Sequence, residues 1–210
     1  MKKLLTTVMM GATFLLASCG TKTTTVTSTT QENTVKQVQL TDGTENVEVK
    51  TNPKKIVTFD LGSADTLRAI GQGETIVGMP TKPLPTYIKD LGEKVQNVGS
   101  MKEPDIEAIA AMQPDLIIAS TRVKDFIPQL KEIAPTVIFN VDSKDYWGSV
   151  QKNVKSLASL FDEATQQKAS AQVKELQTTI DTIAAQNEKH SEKSLAIMLN
   201  EGKNIYAYPF

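Results

Sequence analysis

The chain has 210 residues, 40% hydrophobic and 5% aromatic, with a formal net charge of −1 at neutral pH. That is the composition of an ordinary globular protein, and the near-balanced charge excludes a general pull toward nucleic acid or anionic lipid. Cys19 is the single cysteine, so an internal disulfide is excluded as well.

In chain order, Lys2 and Lys3 give a positive start, followed by an apolar stretch over residues 4–16. It is shorter than the ~20 residues a bilayer-crossing helix needs, but it fits the apolar core of a signal peptide. The segment Leu16-Ala17-Ser18-Cys19-Gly20 resembles the lipobox of bacterial lipoproteins. It implies removal of residues 1–18 and lipidation of Cys19. Residues 19–34 are Thr-rich and poor in large apolar side chains. Such a stretch cannot bury enough surface to offset its ordering entropy, so it is expected to be a tether; an edge strand is the alternative.

Two short extended stretches flank Asp42-Gly43, a hairpin turn signal. From Pro53 onward, strands alternate with helices. Ile56-Val57-Thr58-Phe59 reads as a strand, and Ser63 as the cap of a helix carrying Leu67 and Ile70 that stops at Gly71. Thr75-Ile76-Val77 is the second strand. Pro104 suits the first turn of a helix whose buried stripe is Ile106, Ile109 and Ala110. Leu116-Ile117-Ile118-Ala119 is the continuous apolar run of a parallel strand covered on both faces. Asp125 is expected to open a helix with Phe126, Leu130 and Ile133 inward, and Thr136-Val137-Ile138-Phe139 to form the next strand. The alternation predicts a parallel-sheet α/β fold.

Two helices follow. One carries Val150, Val154, Leu157 and Phe161; the other carries Ala169, Val173, Leu176, Ile180 and Ile183. The second helix is predicted over residues 164–188, about 37 Å at 1.5 Å per residue. Leu195 to Leu199 starts a new strand, with 204–208 as its partner.

Several ordered segments then carry a family resemblance: Pro53-Lys54-Lys55-Ile56-Val57-Thr58-Phe59-Asp60, Val98-Gly99-Ser100-Met101-Lys102-Glu103-Pro104-Asp105, Glu107-Ala108-Ile109-Ala110, Pro114-Asp115-Leu116-Ile117-Ile118 and Ile133-Ala134-Pro135-Thr136. Over residues 35–210 the chain resembles substrate-binding lipoproteins of ferric-siderophore ABC importers, of the petrobactin or catecholate type. The resemblance implies two Rossmann-like α/β lobes joined by one long helix, with the ligand between them. It implies an N-terminal lobe over 35–163, a backbone helix over 164–190, and over 191–210 the start of a second lobe that the sequence leaves incomplete. It further implies a non-enzymatic monomer with no cofactor of its own, lipid-anchored at the extracellular face of the cell membrane. Its partners would be a ferric siderophore and an ABC permease.

An anionic, aromatic iron chelate calls for fixed cations and apolar walls. Arginine is favoured because its planar fork stays charged and stacks on rings. The chain has two, Arg68 and Arg122. Arg122 directly follows the 116–120 strand, where ligands of open α/β sheets collect, and the resemblance assigns a ligand-contacting arginine there; a loop cation in a surface pair is the alternative. Arg68 reads as part of a solvated helix face. Lys82, in a Pro-rich loop, is a second pocket cation or a solvated lysine. Trp147 is a pocket wall or a capping core aromatic, and Tyr208 a further ligand candidate. Glu107 matches the acidic position that the family offers to its permease, or is simply a helix-start carboxylate.

The sole histidine, His190, lies at the polar end of the long helix, so no bare-metal site is expected. Gly71-Gln72-Gly73 follows a helix and lacks the third spaced glycine of a dinucleotide fingerprint. No Gly-x-Ser-x-Gly segment is present. The competing readings are a surface adhesion lipoprotein built on the same lobe, in which the cations would be dispersed over convex surface, and a truncated receptor without function.

Overall fold

The computed structural model describes residues 35–39, 46–190, 197–200, 202 and 205–208. The signal peptide, Cys19, the Thr-rich tether and the Asp42-Gly43 turn lie outside these residues. Strands β1 (Val35–Gln39) and β2 (Asn46–Lys50) pair antiparallel, Gln39 opposite Asn46, and Val49 of β2 is buried in the core.

The centre of the fold is a five-stranded sheet of β3 (Ile56–Thr58), β4 (Ile76–Met79), β5 (Gln96–Asn97), β6 (Leu116–Ala119) and β7 (Thr136–Ile138), in the order β5-β4-β3-β6-β7. Every pairing is parallel. All four residues of β6 and all three of β3 are buried, as the continuous apolar runs require of strands covered on both faces. One face packs Ile56, Leu67, Met79, Leu116, Ile118 and Leu157; the other packs Val57, Phe59, Val98, Ile109, Ile117 and Leu130. Gly78 permits close approach here: a Cβ on it would lie 2.7 Å from Val98 Cγ1 and 2.9 Å from Met112 Sδ.

Helices α1 (Leu61–Ala69), α2 (Lys89–Gly92), α3 (Ile106–Met112), α4 (Ile127–Ile133), α5 (Tyr146–Ala158) and α6 (Glu163–Glu188) complete the lobe. Several predicted termini move. Asp60, not Ser63, caps α1: its carboxylate accepts from Gly62 N at 3.3 Å, Ser63 N at 2.9 Å and Ser63 Oγ at 2.5 Å. Pro104 stays outside α3, because Asp105 is the cap and accepts from Ala108 N. Ala110 is exposed, leaving Ile109 as the buried residue of α3 and Ile106 half-buried. Gln113, before Pro114, does leave the right-handed helical region, but into left-handed space at φ 50. Asp125 does not open α4; a 3-10 segment over Thr121–Phe126 intervenes, and α4 begins after Phe126 with Pro128 in its first turn.

The long helix α6 spans 26 residues with Asp162 as its cap. Thr165 and Ala169 are buried, whereas Leu176, Ile180 and Ile183 are exposed. Strands β8 (Ile197–Asn200) and β9 (Ile205–Tyr208) form a separate antiparallel hairpin. Among the described residues no helix is long and apolar enough to cross a membrane.

Candidate functional site

At the carboxyl ends of the parallel strands the chain forms an open concavity of about 1020 Å³. Each of the five strands delivers one loop to it: 59–61 after β3, 82–85 after β4, 100–102 after β5, 120–122 after β6 and 139–141 after β7. This is the edge where open α/β sheets hold ligands. Part of its lining is apolar, with Phe59 and Phe139 buried beneath it and Leu84, Pro83, Pro85 and Met101 nearer the surface.

Three cations line the concavity. Arg122 sits between the end of β6 and Val123, whose fully buried side chain and N–H to Ser120 O at 3.1 Å fix the turn. Lys82 lies in the Pro-rich loop after β4. Lys102, which the sequence reading did not single out, occupies the tip of a tight turn. There Ser100 N donates to Glu103 O at 2.9 Å, and Ser100 Oγ accepts from Lys102 N at 3.2 Å and Glu103 N at 3.0 Å. Gly99, at φ +100, makes this turn possible: a Cβ would lie 2.4 Å from Glu103 O. Gly99 and the Ser100…Pro104 turn chemistry were the available signals, but β5 consists of two exposed polar residues and gave no strand to place the loop on.

The side chains of Lys82, Lys102 and Arg122 make no hydrogen bond or ion pair among the described residues. Among the described residues the one carboxylate on the cavity, Asp60, is engaged by the α1 N-terminus. Ser120 Oγ is buried on the cavity wall and has no partner among the described residues. The site therefore offers net positive charge beside apolar side chains. Among the described residues no group of three His, Cys, Asp or Glu side chains could hold a metal ion.

The other predicted site residues lie elsewhere. Trp147 is in the first turn of α5, half-buried, and its Nε1 donates to Gln177 of α6; it does not line the concavity. Tyr208 pairs in register with Ile197, and its side chain lies outside the described residues. Glu107 is exposed in the first turn of α3. Arg68 is half-exposed, and on that solvated face it pairs with Asp65 at 2.7 Å and Asp90 at 3.1 Å and donates to Tyr87 O.

The periplasmic binding protein family matches residues 56–209. The chain belongs to that family. It is 34% identical over 193 residues to the petrobactin-binding protein YclQ of Bacillus subtilis, covering 90% of this chain and 59% of that protein. Among solved structures, the iron uptake ABC transporter substrate-binding protein PiuA of Streptococcus pneumoniae superposes with a TM-score of 0.78 at 49% identity, covering 84% of this chain and 62% of PiuA. The YclQ structure gives 0.79 at 30% identity, with 84% and 61% coverage. The chain thus spans about three fifths of the length of these relatives. The expected parallel-sheet α/β fold of a binding-protein lobe is the fold observed. Family members are non-enzymatic carriers.

Proposed function

We propose that the chain is an extracytoplasmic solute-binding lipoprotein that captures an anionic ferric siderophore of the catecholate class and presents it to an ABC permease. The observation that carries this reading is the convergence of Lys82, Lys102 and Arg122, all without partners among the described residues, on one partly apolar concavity. A ferric tris-catecholate is a polyanion with a flat aromatic rim. Charge-assisted contacts to its oxygens and apolar packing of its rim against half-buried Leu84 and Met101 complement both properties. The iron arrives already chelated, so the protein supplies no metal ligand and no cofactor. YclQ, named for petrobactin, is the relative that supports the catecholate class.

Lipidation at Cys19 would hold the protein, as a monomer, at the extracellular face of the membrane. Exposed Glu107 would meet a basic residue of the permease. Convergence of the cations on a concavity favours this reading over an adhesion module.

Ferric tris-catecholate titrated into the full chain should quench Trp147 fluorescence. Arg122→Ala should weaken that binding about 30-fold, in line with loss of a close charge-assisted contact, while Lys152→Ala on the exposed face of α5 leaves it unchanged. Equal affinities for the two variants would remove Arg122 from the site.

A further inference from the structure

Lys82 has no side-chain partner among the described residues, so its position over the cavity depends on its backbone. That backbone is a strap from β4 to α2, and it is held unusually well for a surface loop. Upstream, Thr81 N donates to Asn97 Oδ1 at 3.2 Å. Pro80, Pro83 and Pro85 limit its φ angles. Leu84 turns inward against α2, its Cδ1 standing 2.2 Å from where a Cβ on Gly92 would be. Ile88 and Leu91 are buried in the core.

The remaining tie comes from Arg68 on α1. Its Nη1 donates to Tyr87 O and to Asp90 Oδ1 at 3.1 Å, while Nη2 pairs with Asp65 Oδ1 at 2.7 Å on its own helix. The planar guanidinium is thus oriented by α1 and grips both the 3-10 turn over Thr86–Ile88 and the first turn of α2. An isolated exposed ion pair contributes little. A fork that also takes a main-chain carbonyl fixes geometry, which a lysine cannot reproduce.

We infer that Arg68 is a positioning residue for the cavity: it latches the 82–90 strap to α1 and so holds Lys82 ready for an anionic ligand. The inference rests on the proposed reading of the cavity for its consequence, though not for the latch itself. Ordering the strap before binding removes that entropy cost from the association step.

The test is a double-mutant cycle in the full chain, with ferric tris-catecholate as probe and amide hydrogen exchange as a second, ligand-free readout. Arg68→Ala should weaken binding by roughly 5-fold, within the range of coupled neighbours, and Arg68→Lys should recover only part of the loss. Arg68→Ala should cost nothing further in a Lys82→Ala background, yet its full factor in a Lys102→Ala background. General destabilisation would instead act alike in both backgrounds, and that result would overturn the inference. Exchange at Ile88 and Lys89, whose N–H groups donate to Pro85 O and Thr86 O, should accelerate in Arg68→Ala while α3 stays unchanged. Unchanged exchange in the strap rejects the latch whether or not the chelate binds. Accelerated exchange without any binding by the wild-type chain keeps the latch and rejects the siderophore reading.

Discussion

Both ends of the central sheet carry basic residues, but they treat their polar groups differently. At the amino end, Asp115, just before β6, accepts from Lys54 N at 2.8 Å and Lys55 N at 2.9 Å, and its own N–H donates to Lys55 O at 2.8 Å. Lys55 Nζ donates to Met112 O at 3.2 Å. Polar groups there are consumed in joining β3 to β6. At the carboxyl end, the side chains of Lys82, Lys102 and Arg122 make no hydrogen bond or ion pair among the described residues, and Ser120 Oγ is buried without a partner there. Buried polar groups are normally satisfied, so Ser120 Oγ is the exception at this rim, while the three exposed cations beside it are hydrated and free to exchange water for an anion under the proposed reading.

That contrast can be broken by exchanging the effects of substitutions. Arg122→Glu should have the largest effect, lowering affinity for ferric tris-catecholate about 100-fold or more through repulsion and loss of the contact. Its melting temperature should stay close to wild type in a thermal scan. Asp115→Ala should do the reverse: about 1–3 kcal/mol of stability lost in urea titration, from two main-chain donors left without their acceptor, with chelate affinity within about 2-fold of wild type. Lys55→Met, which removes a single exposed hydrogen bond, should cost under about 1 kcal/mol in the same titration. A binding defect in Asp115→Ala or a stability defect in Arg122→Glu would erase the distinction between the rims.

The smallest effect concerns pH. Hydrogen bonds from the Thr165 side chain and backbone hold Asp162, the cap of α6, below the ordinary aspartate value of 3.8, with Lys54 contributing a lesser attraction. A depressed native pKa means the ionised cap stabilises the fold above the unfolded value and that this stabilisation fades as pH falls through the native one. The stability difference between wild type and Asp162→Ala, measured by denaturant at several pH values, should therefore be constant near neutrality and narrow below about pH 4. A difference independent of pH would show that the charge contributes nothing.

Much of this was legible in the chain itself. Leu116 to Ala119 could hardly be anything but a strand buried on both faces, and the strand–helix rhythm implied the parallel sheet and hence the ligand edge. Arg122 and Lys82 followed from that edge. Lys102 did not, because β5 is a polar two-residue strand recognisable only by its partner. Cap identity was ambiguous for a related reason: Asp60 and Ser63 lie three residues apart, and both are good caps by composition. The stripe on α6 was read correctly as a stripe, but Leu176, Ile180 and Ile183 are exposed; periodicity defines a face and says nothing about what covers it. The pairing of Arg68 is not visible in the sequence, because Tyr87 and Asp90 are about 20 residues away and are brought near only by the fold.

The most direct measurement compares the affinity of the full chain for ferric tris-catecholate with that for a neutral ferric tris-chelate of similar size, at low and moderate salt. The anionic chelate should bind at least about 10-fold tighter, and its advantage should shrink as salt screens the cationic rim. Equal affinity for the two chelates, or no binding of either, would contradict a cavity built to attract an anionic iron complex.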